Sequence, residues 1–166
     1  RSTLFPYTTL FRSGSAGQGD TVKDVLAPLG SVRFDAVAMS PGRQLGVGTV
    51  EGTPIFCLPG DPVSAQIAFE TFVRPVLRQI AGWSALHRSS LPATVSAGWR
   101  SPAGKREFVP VHLTGSPTKG YRASPVAAPG TTPLLGLARA NAIAVVPEDT
   151  RTVVAGDRLH CLLLDA

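Results

Sequence analysis

Residues 53–80 encode a strand, a sharp turn and a helix, and this stretch constrains the fold more than any other part of the chain. Thr53-Pro54-Ile55-Phe56-Cys57-Leu58 is a short apolar run behind a turn, which predicts a buried strand. Gly60 allows a tight turn, Asp61 is a favoured N-cap, and Pro62 suits the first helical position because its φ is already fixed. The pattern predicts a helix whose free N–H groups point outward at the carboxyl end of the strand, where α/β sheets bind ligands.

The predicted helix has an apolar and a polar side. Its apolar residues recur at steps of three and four, namely Ala65, Ala68, Phe69, Phe72, Val73, Val76 and Ile80. The opposite side carries Gln66, Glu70, Arg74 and Arg78, with Glu70 and Arg74 in the favourable i,i+4 order. Pro75 is expected to kink or restart the helix, and Gly82 to end it.

Two interpretations of the Pro59–Pro62 turn stay open on the residues alone. One is a well-capped connection that binds no ligand, and the other is an anion site at the helix N-terminus. The Asp61 carboxylate is stabilised by the helix dipole, but it would repel an anion that approached the same N–H groups. An anion site here therefore implies a metal ion between the charges, or an offset ligand.

The composition indicates a globular protein. With 166 residues, 43% hydrophobic and 16% charged, the chain can bury a core as one large domain or two small ones. No apolar run approaches the ~20 residues of a membrane span, and no secretory leader is present, so we expect a cytoplasmic protein without membrane contact. Cys57 and Cys161 lie in separate apolar runs and are expected to be buried thiols. The three histidines show no ligand spacing, and no structural metal is expected.

The charge is unevenly distributed along the chain. The net charge of +5 divides into +2 for residues 1–13, −1 for residues 14–86 and +4 for residues 87–166. The C-terminal arginines are scattered and lack interleaved aromatic residues, which favours a solvated basic face over a nucleic-acid site.

Residues 3–13 resemble the conceptual translation of a widely used sequencing adapter, so we expect residues 1–13 to be a non-native segment. The alternative is an ordinary N-terminal strand. If the segment is non-native, the residues after it are the tail of a longer protein that was cut upstream.

The next part of the chain predicts a small-residue loop, a helix and two strands. Residues 14–20 form the loop, residues 21–30 the short amphipathic helix, and residues 33–39 and 44–50 the strands. Between the strands, Ser40-Pro41-Gly42-Arg43 is either a hairpin turn or a second turn that serves a ligand.

After Gly82 the helical period disappears. Strands are expected near residues 91–99, 106–113, 120–127, 142–146 and 158–164, with a short helix over 132–140 and Asn141 just after its end. This pattern predicts a small β-barrel or sandwich, with a domain boundary between Trp83 and Ser90.

Several of these segments carry motifs in a fixed order. They are Ser15-x-Gly17-x-x-Asp20-x-Val22-Lys23, Val37-Ala38-Met39-x-Pro41-Gly42-Arg43, Leu58-Pro59-Gly60-Asp61-Pro62-Val63-Ser64, Phe72-Val73-Arg74-Pro75, Lys105-Arg106-Glu107-Phe108, and Gly130 followed by Leu137-Ala138-Arg139-Ala140-Asn141-Ala142-Ile143. In order and spacing they resemble the molybdopterin molybdenumtransferase family, over nearly all of residues 14–166.

The resemblance implies a fold, an activity and a partner. Residues 14–86 would be the second half of a three-layer α/β molybdopterin-binding domain, and residues 87–166 a C-terminal β-barrel domain. The whole protein would be a homodimer whose cleft also uses a domain of the partner subunit. With Mg²⁺ it would insert molybdate into adenylylated molybdopterin and release AMP, whereas the fragment alone would be inactive.

The resemblance also assigns roles to residues. Asp20 would organise magnesium or molybdate and, with Arg43, act in catalysis, while Arg43 and Arg106 would face anionic oxygens. The other substrate-binding positions would be Ser15, Gly17, Pro41, Gly42, Pro59, Gly60, Asp61, Pro62, Ser64 and Thr131. These residue types suit phosphate and molybdate, which need N–H donors, positive charge and a cation to offset phosphate repulsion.

The chain departs from the family pattern at two turns. Where the family often has Lys-Pro-Gly-Lys-Pro, this chain has Ser40-Pro41-Gly42-Arg43-Gln44, and where it usually has Pro-Gly-Asn-Pro, this chain has Asp61. The first change puts lysine contacts to molybdate in doubt, although a planar guanidinium can still bind an oxyanion. Two alternatives therefore stand beside the transferase: a non-catalytic protein that binds a pterin or nucleotide or acts as a scaffold, and a nucleotide-processing enzyme.

Overall fold

The computed structural model describes residues 21–127 and 134–164, with the Thr21 side chain left out. These residues belong to two compact units. The first unit contains the residues up to Val37 together with Gly42–Val73, and the second contains Ala38–Pro41 and the residues from Arg74 onward. Within the described part of the chain, no helix has the length and apolar character needed to cross a membrane.

The described helices and strands follow the predicted order closely. They are α1 (Thr21–Leu26), β1 (Gly30–Ala36), β2 (Met39–Ser40), β3 (Gln44–Val50), β4 (Thr53–Cys57), α2 (Pro62–Ala68), a π-helix (Phe69–Val73), α3 (Arg74–Ile80), β5 (Ser90–Val95), β6 (Trp99–Arg100), β7 (Arg106–Ser116), β8 (Gly120–Pro125), α4 (Leu134–Arg139), β9 (Ala142–Val146), β10 (Thr152–Val153) and β11 (Arg158–Leu163). The short pair β6 and β10 was not predicted, because two-residue strands carry no readable alternation.

The sheet of the first unit is antiparallel, with the order β1-β3-β4. Gly46 sits in its central strand, where a Cβ would lie 2.6 Å from the Phe34 ring and 2.8 Å from the Cβ of Cys57. A side chain at this position would clash with both groups, so glycine leaves room for the Phe34 ring to pack over the central strand.

The predicted restart at Pro75 is confirmed and takes the form of a π-helix. Proline has no N–H for the preceding turn, and Pro75 lies in the first turn of α3, directly after the π-helical residues. A π-turn adds a residue to the helical repeat and so changes which side chains share a face. The predicted faces fail accordingly: Glu70, placed on the polar side, is only 6% exposed, whereas Ile80, placed on the apolar side, is 67% exposed.

The helix ends at Gly82 as predicted. Gly82 has a φ of 77°, its N–H bonds the carbonyl of Gln79, and the N–H of Trp83 bonds the carbonyl of Arg78. This is the Schellman arrangement that favours glycine. The Arg78 guanidinium also lies 4.2 Å from the centre of the Trp83 ring, which strengthens the termination.

The second unit contains a closed five-stranded β-barrel, as the family resemblance implied, whereas the strand pattern alone had left a sandwich open. Its strands pair in the ring β5-β11-β9-β7-β8 and back to β5. Alternate residues of these strands face inward and form one apolar core, including Val95, Val111, Ala144, Val146 and Cys161. The two-residue strand β2 pairs in parallel with the start of β7.

Both cysteines are buried free thiols, as predicted. Desolvation raises the pKa of the Cys161 thiol to about 11, because burial penalises the thiolate. Cys161 is therefore a core residue rather than a reactive one.

Candidate functional site

Three strand ends of the first unit meet at one edge of its sheet. Antiparallel register pairs Ala36, the last residue of β1, with Gln44, the first of β3, and pairs Gly46 with Cys57, the last residue of β4. The N–H of Val37 continues this pairing with a 2.7 Å bond to the carbonyl of Arg43. The loop after β4 and the residues that precede β3 therefore lie at the same edge, although 15 or more residues separate them in sequence.

Gly42 and Arg43 enter this edge from the β1–β3 connection. Gly42 is buried and has a φ of 91°, a conformation that disfavours any residue with a Cβ. Arg43 follows with an exposed side chain. Within residues 21–127 and 134–164 its guanidinium has no ion-pair partner, so it can present its N–H donors to an anion.

The Asp61 turn enters the same edge from β4. Asp61 has extended backbone angles (φ −76°, ψ 128°) and caps α2, with Pro62 in the first turn. Its Oδ1 accepts the Ser64 N–H at 2.8 Å, and its carbonyl accepts the Ala65 N–H at 2.8 Å. The predicted cap is confirmed, but the expectation of free N–H groups is wrong for Ser64, because the carboxylate of the same turn takes that donor.

Arg106 and Pro41 belong to the second unit. The backbone N–H of Arg106 donates to the carbonyl of Ala38, and Met39 pairs with Arg106 across β2 and β7. Pro41 follows β2 directly and is preceded by a cis peptide bond. Within this unit, the pairing therefore brings the turn that holds Pro41 next to the first residues of β7.

The Arg106 guanidinium is engaged by a carboxylate. Its Nε and Nη2 lie 3.1 and 2.9 Å from the same oxygen, Oε2 of Glu148. The pKa of Glu148 is lowered, first by a hydrogen bond with its own backbone N–H and then by Arg106. Sequence reasoning missed this partner because it lies 42 residues away, in a turn with no distinguishing local pattern.

A second polar contact near β7 was also missed. Glu107, next to Arg106, is buried, and its Oε2 accepts the indole N–H of Trp99 at 2.9 Å. A buried carboxylate needs such a donor. The apolar residues that follow Glu107 indicated a buried strand, but no local pattern indicated that the glutamate itself is buried.

The structure places some of the predicted site residues together and leaves others undescribed. Ser15, Gly17, Asp20 and Thr131 lie outside the described residues. Pro59, Gly60, Asp61, Pro62 and Ser64 share one turn with each other, and Gly42 and Arg43 lie at the same sheet edge as that turn.

Possible metal ligands do not cluster in the described part of the chain. No group of three or more His, Cys, Asp or Glu side chains occurs within residues 21–127 and 134–164. Asp61, at the sheet edge described above, uses Oδ1 to cap the helix. Mg²⁺, which the family resemblance implies, is commonly held by one or two carboxylates together with substrate phosphates.

Family comparisons match the two parts of the chain separately. Residues 14–79 match the family described as "Probable molybdopterin binding domain". Residues 92–164 match the family described as "MoeA C-terminal region (domain IV)". The two matches occur in this order and leave only residues 80–91 between them unmatched.

The chain belongs to the MoeA-like family. It is 40% identical over 152 residues to molybdopterin molybdenumtransferase 2 of Mycobacterium tuberculosis, an alignment that covers 88% of this chain and 37% of the relative. It is 32% identical over 157 residues to the molybdopterin molybdenumtransferase of Nostoc, covering 90% of this chain and 36% of that protein. The chain thus spans little more than a third of the length of these relatives.

A solved structure of the same family matches the fold of this MoeA-like chain. The crystal structure of the molybdopterin biosynthesis MoeA protein from Pyrococcus horikoshii aligns with a TM-score of 0.74 and 25% identity. The alignment covers 89% of this chain and 35% of that protein. The α/β part followed by a small barrel is therefore the arrangement of a known MoeA fold, and the domain limits at residues 86 and 87 stay a prediction.

Proposed function

We propose that this MoeA-like chain is part of a molybdopterin molybdenumtransferase, which inserts molybdate into adenylylated molybdopterin and releases AMP. The observation that carries the proposal is the β3–β4 register, which puts the exposed Arg43 at the same sheet edge as the Pro59–Ser64 turn. A cationic side chain and a polar turn at one edge suit a substrate that carries phosphate, and two relatives are named as this transferase.

In this proposal the residues bind and orient rather than form covalent intermediates. Arg43 donates to oxyanions of the substrate, since its guanidinium offers several N–H groups and no internal carboxylate competes for them within the described residues. The Pro59–Ser64 turn holds the pterin side. Asp20 would recruit Mg²⁺ together with phosphate oxygens, which bind this metal in many nucleotide sites.

The chain alone is expected to be inactive, because it covers 37% of the first-named relative. Homodimer formation, a cleft shared with the partner subunit and a cytoplasmic location belong to the same proposal. They rest on the family resemblance.

The test is AMP release by the full-length protein that contains this chain, with adenylylated molybdopterin, Mg²⁺, and molybdate present or absent. Replacing Arg43 with Gln is expected to lower molybdate-dependent release at least tenfold, since a charge-assisted contact contributes roughly 1.5–3 kcal/mol. Arg33→Gln is the matched control, because Arg33 is exposed, lies in the same sheet and pairs with Asp35 at 2.8 Å. Asp20→Ala should abolish release if this carboxylate holds the metal.

A binding protein of the same architecture is the second candidate. Two observations favour it. The Asp61 carboxylate lies at the α2 N-terminus, where it would repel an anionic substrate. Arg106, which was predicted to face the substrate, forms an ion pair with Glu148 instead. If adenylylated molybdopterin binds but AMP is not released with molybdate, the transferase proposal fails and the binding protein replaces it. Hydrolysis without molybdate would instead indicate a nucleotide-processing enzyme.

A further inference from the structure

The outer face of the barrel carries a basic row in strict register. Thr94 of β5 pairs with Arg122 of β8 on one side and with Arg158 of β11 on the other. Their neighbours Val95, Ala123 and Leu159 are buried in the core, so by alternation the row itself faces outward, and all three residues are exposed. With a strand spacing of ~4.8 Å, the two arginine backbones lie about 10 Å apart.

A pocket of about 530 Å³ opens beside this row. It lies between the tip of the β7–β8 hairpin and the turn before β11, and its walls include Thr94, Lys119, Tyr121, Arg122 and Gly156. This volume falls within the range of roughly 300–1,000 Å³ that is typical of small-molecule sites. It lies wholly in the second unit and shares no residue with the sheet edge that holds Arg43.

The glycines in the wall keep the backbone open to a ligand. Gly120 has a φ of 79° and Gly156 a φ of 101°, and no atom lies within 4 Å of the place where either Cβ would be. A ligand can therefore approach the main chain of both residues closely, which a side chain at either position would prevent.

The pocket is electrostatically one-sided. Lys119 and Arg122 bring two cations, and no carboxylate is among the lining residues. Neither cation has an ion-pair partner within residues 21–127 and 134–164. The neighbouring acid, Asp157, does not line the pocket, and its Oδ2 accepts the N–H of Val154 at 2.8 Å. Lysine and arginine are donors without acceptors, so a ligand that binds both must supply acceptor oxygens, and the outward-facing Thr94 hydroxyl can serve as donor or acceptor.

We propose that this barrel pocket binds a small phosphate-bearing molecule, at a site separate from the proposed transferase site. A phosphate group offers several charged oxygens that can accept from a guanidinium, an ammonium and hydroxyl groups together. The pocket contains one aromatic residue, Tyr121, and two cations. An extended nucleic-acid strand would require a longer basic groove and several stacking side chains.

The experiment is calorimetric titration of the full chain with two probes at low ionic strength, inorganic pyrophosphate and ribose 5-phosphate. One site per chain is expected for at least one probe. In the double variant Lys119→Gln/Arg122→Gln we expect affinity to fall about 100-fold, at roughly tenfold for each lost charge-assisted contact. Arg151→Gln is the matched control, because Arg151 is exposed in the same unit and does not line the pocket.

Amide NMR shifts locate the bound probe. Shifts at Gly120 and Gly156, with unchanged binding in Arg151→Gln, support the proposal. Tighter binding of pyrophosphate would indicate that the natural ligand is a free phosphate, and tighter binding of ribose 5-phosphate would indicate a phosphate ester.

The proposal is overturned if neither probe binds, if Arg151→Gln weakens binding as much as the double variant, or if the double variant binds as well as the wild type. Molybdate-dependent AMP release should not change in the double variant, so failure here leaves the proposed function unaffected.

Discussion

Replacing Asp61 tests the turn around which the first unit is built. The Asp61 carboxylate accepts the Ser64 N–H at 2.8 Å, and Ser64 itself is buried. Asp61→Ala removes the acceptor and the charge that the helix dipole stabilises, so it is expected to destabilise the start of α2 by about 1–2 kcal/mol. Asp61→Asn keeps an acceptor oxygen at the cap and should cost only a few tenths of a kcal/mol.

Native-state hydrogen exchange of the α2 amides measures this difference locally. A loss of 1–2 kcal/mol corresponds to exchange faster by a factor of roughly 5–30 at Ser64 and the amides that follow it. Asp61→Asn should leave their protection within about twofold of the wild type. If Asp61→Ala leaves protection unchanged, the cap does not stabilise the helix. Equal losses in both variants would show that the charge, rather than hydrogen bonding, holds the turn.

Three further predictions concern the second unit. Glu107→Ala leaves the buried indole N–H of Trp99 without an acceptor and should cost about 2 kcal/mol in urea unfolding, whereas Glu107→Gln should cost less. The pKa of the Cys161 thiol is raised from 9.0 to about 11 in the folded chain. The stability that this shift contributes is therefore complete below pH 9 and is lost as the pH rises to about 11. Cys161→Ala should remove this part of the fall in unfolding free energy at alkaline pH. Arg106→Gln should raise the pKa of Glu148 in an NMR titration without removing its lowering completely, because the hydrogen bond with its own backbone N–H remains. A complete return to the ordinary value would show that the backbone hydrogen bond does not lower this pKa.

The sequence predicted features that depend on neighbours along the chain. The Asp61 cap, the proline in the first turn of α2, the restart at Pro75 and the end at Gly82 all follow from contacts within five residues. The barrel strands were also predictable, because inward and outward residues alternate in each. Two-residue strands were one weak point, since they contain too few residues for a period to show. The end of α1 was another, because it was expected at residue 30 and lies at Leu26.

Asn141 shows where local reasoning stops. The sequence placed it just after a helix, and α4 does end at Arg139. The structure adds that its side chain accepts the N–H of Leu113 at 2.7 Å and donates to the carbonyl of the same residue at 3.0 Å. The amide thus binds the backbone of β7 from 28 residues away. A helix-end pattern contains no information about that partner.

The sequence by itself determined the caps, turns, strand periods and family of this chain, because each is set by residue types at short, fixed spacings. Only the tertiary structure decided that Glu70 is buried, that Arg106 pairs with Glu148 and that Thr94 lies between two arginines. The burial of Glu70 depends on the π-turn, which changes which side chains share a helix face. The other two join residues that are distant in sequence, and strand register alone brings Thr94 between its two arginines. Strand register and the buried face of a helix are set by the burial of all residues in a strand or helix together, so no short motif can specify them.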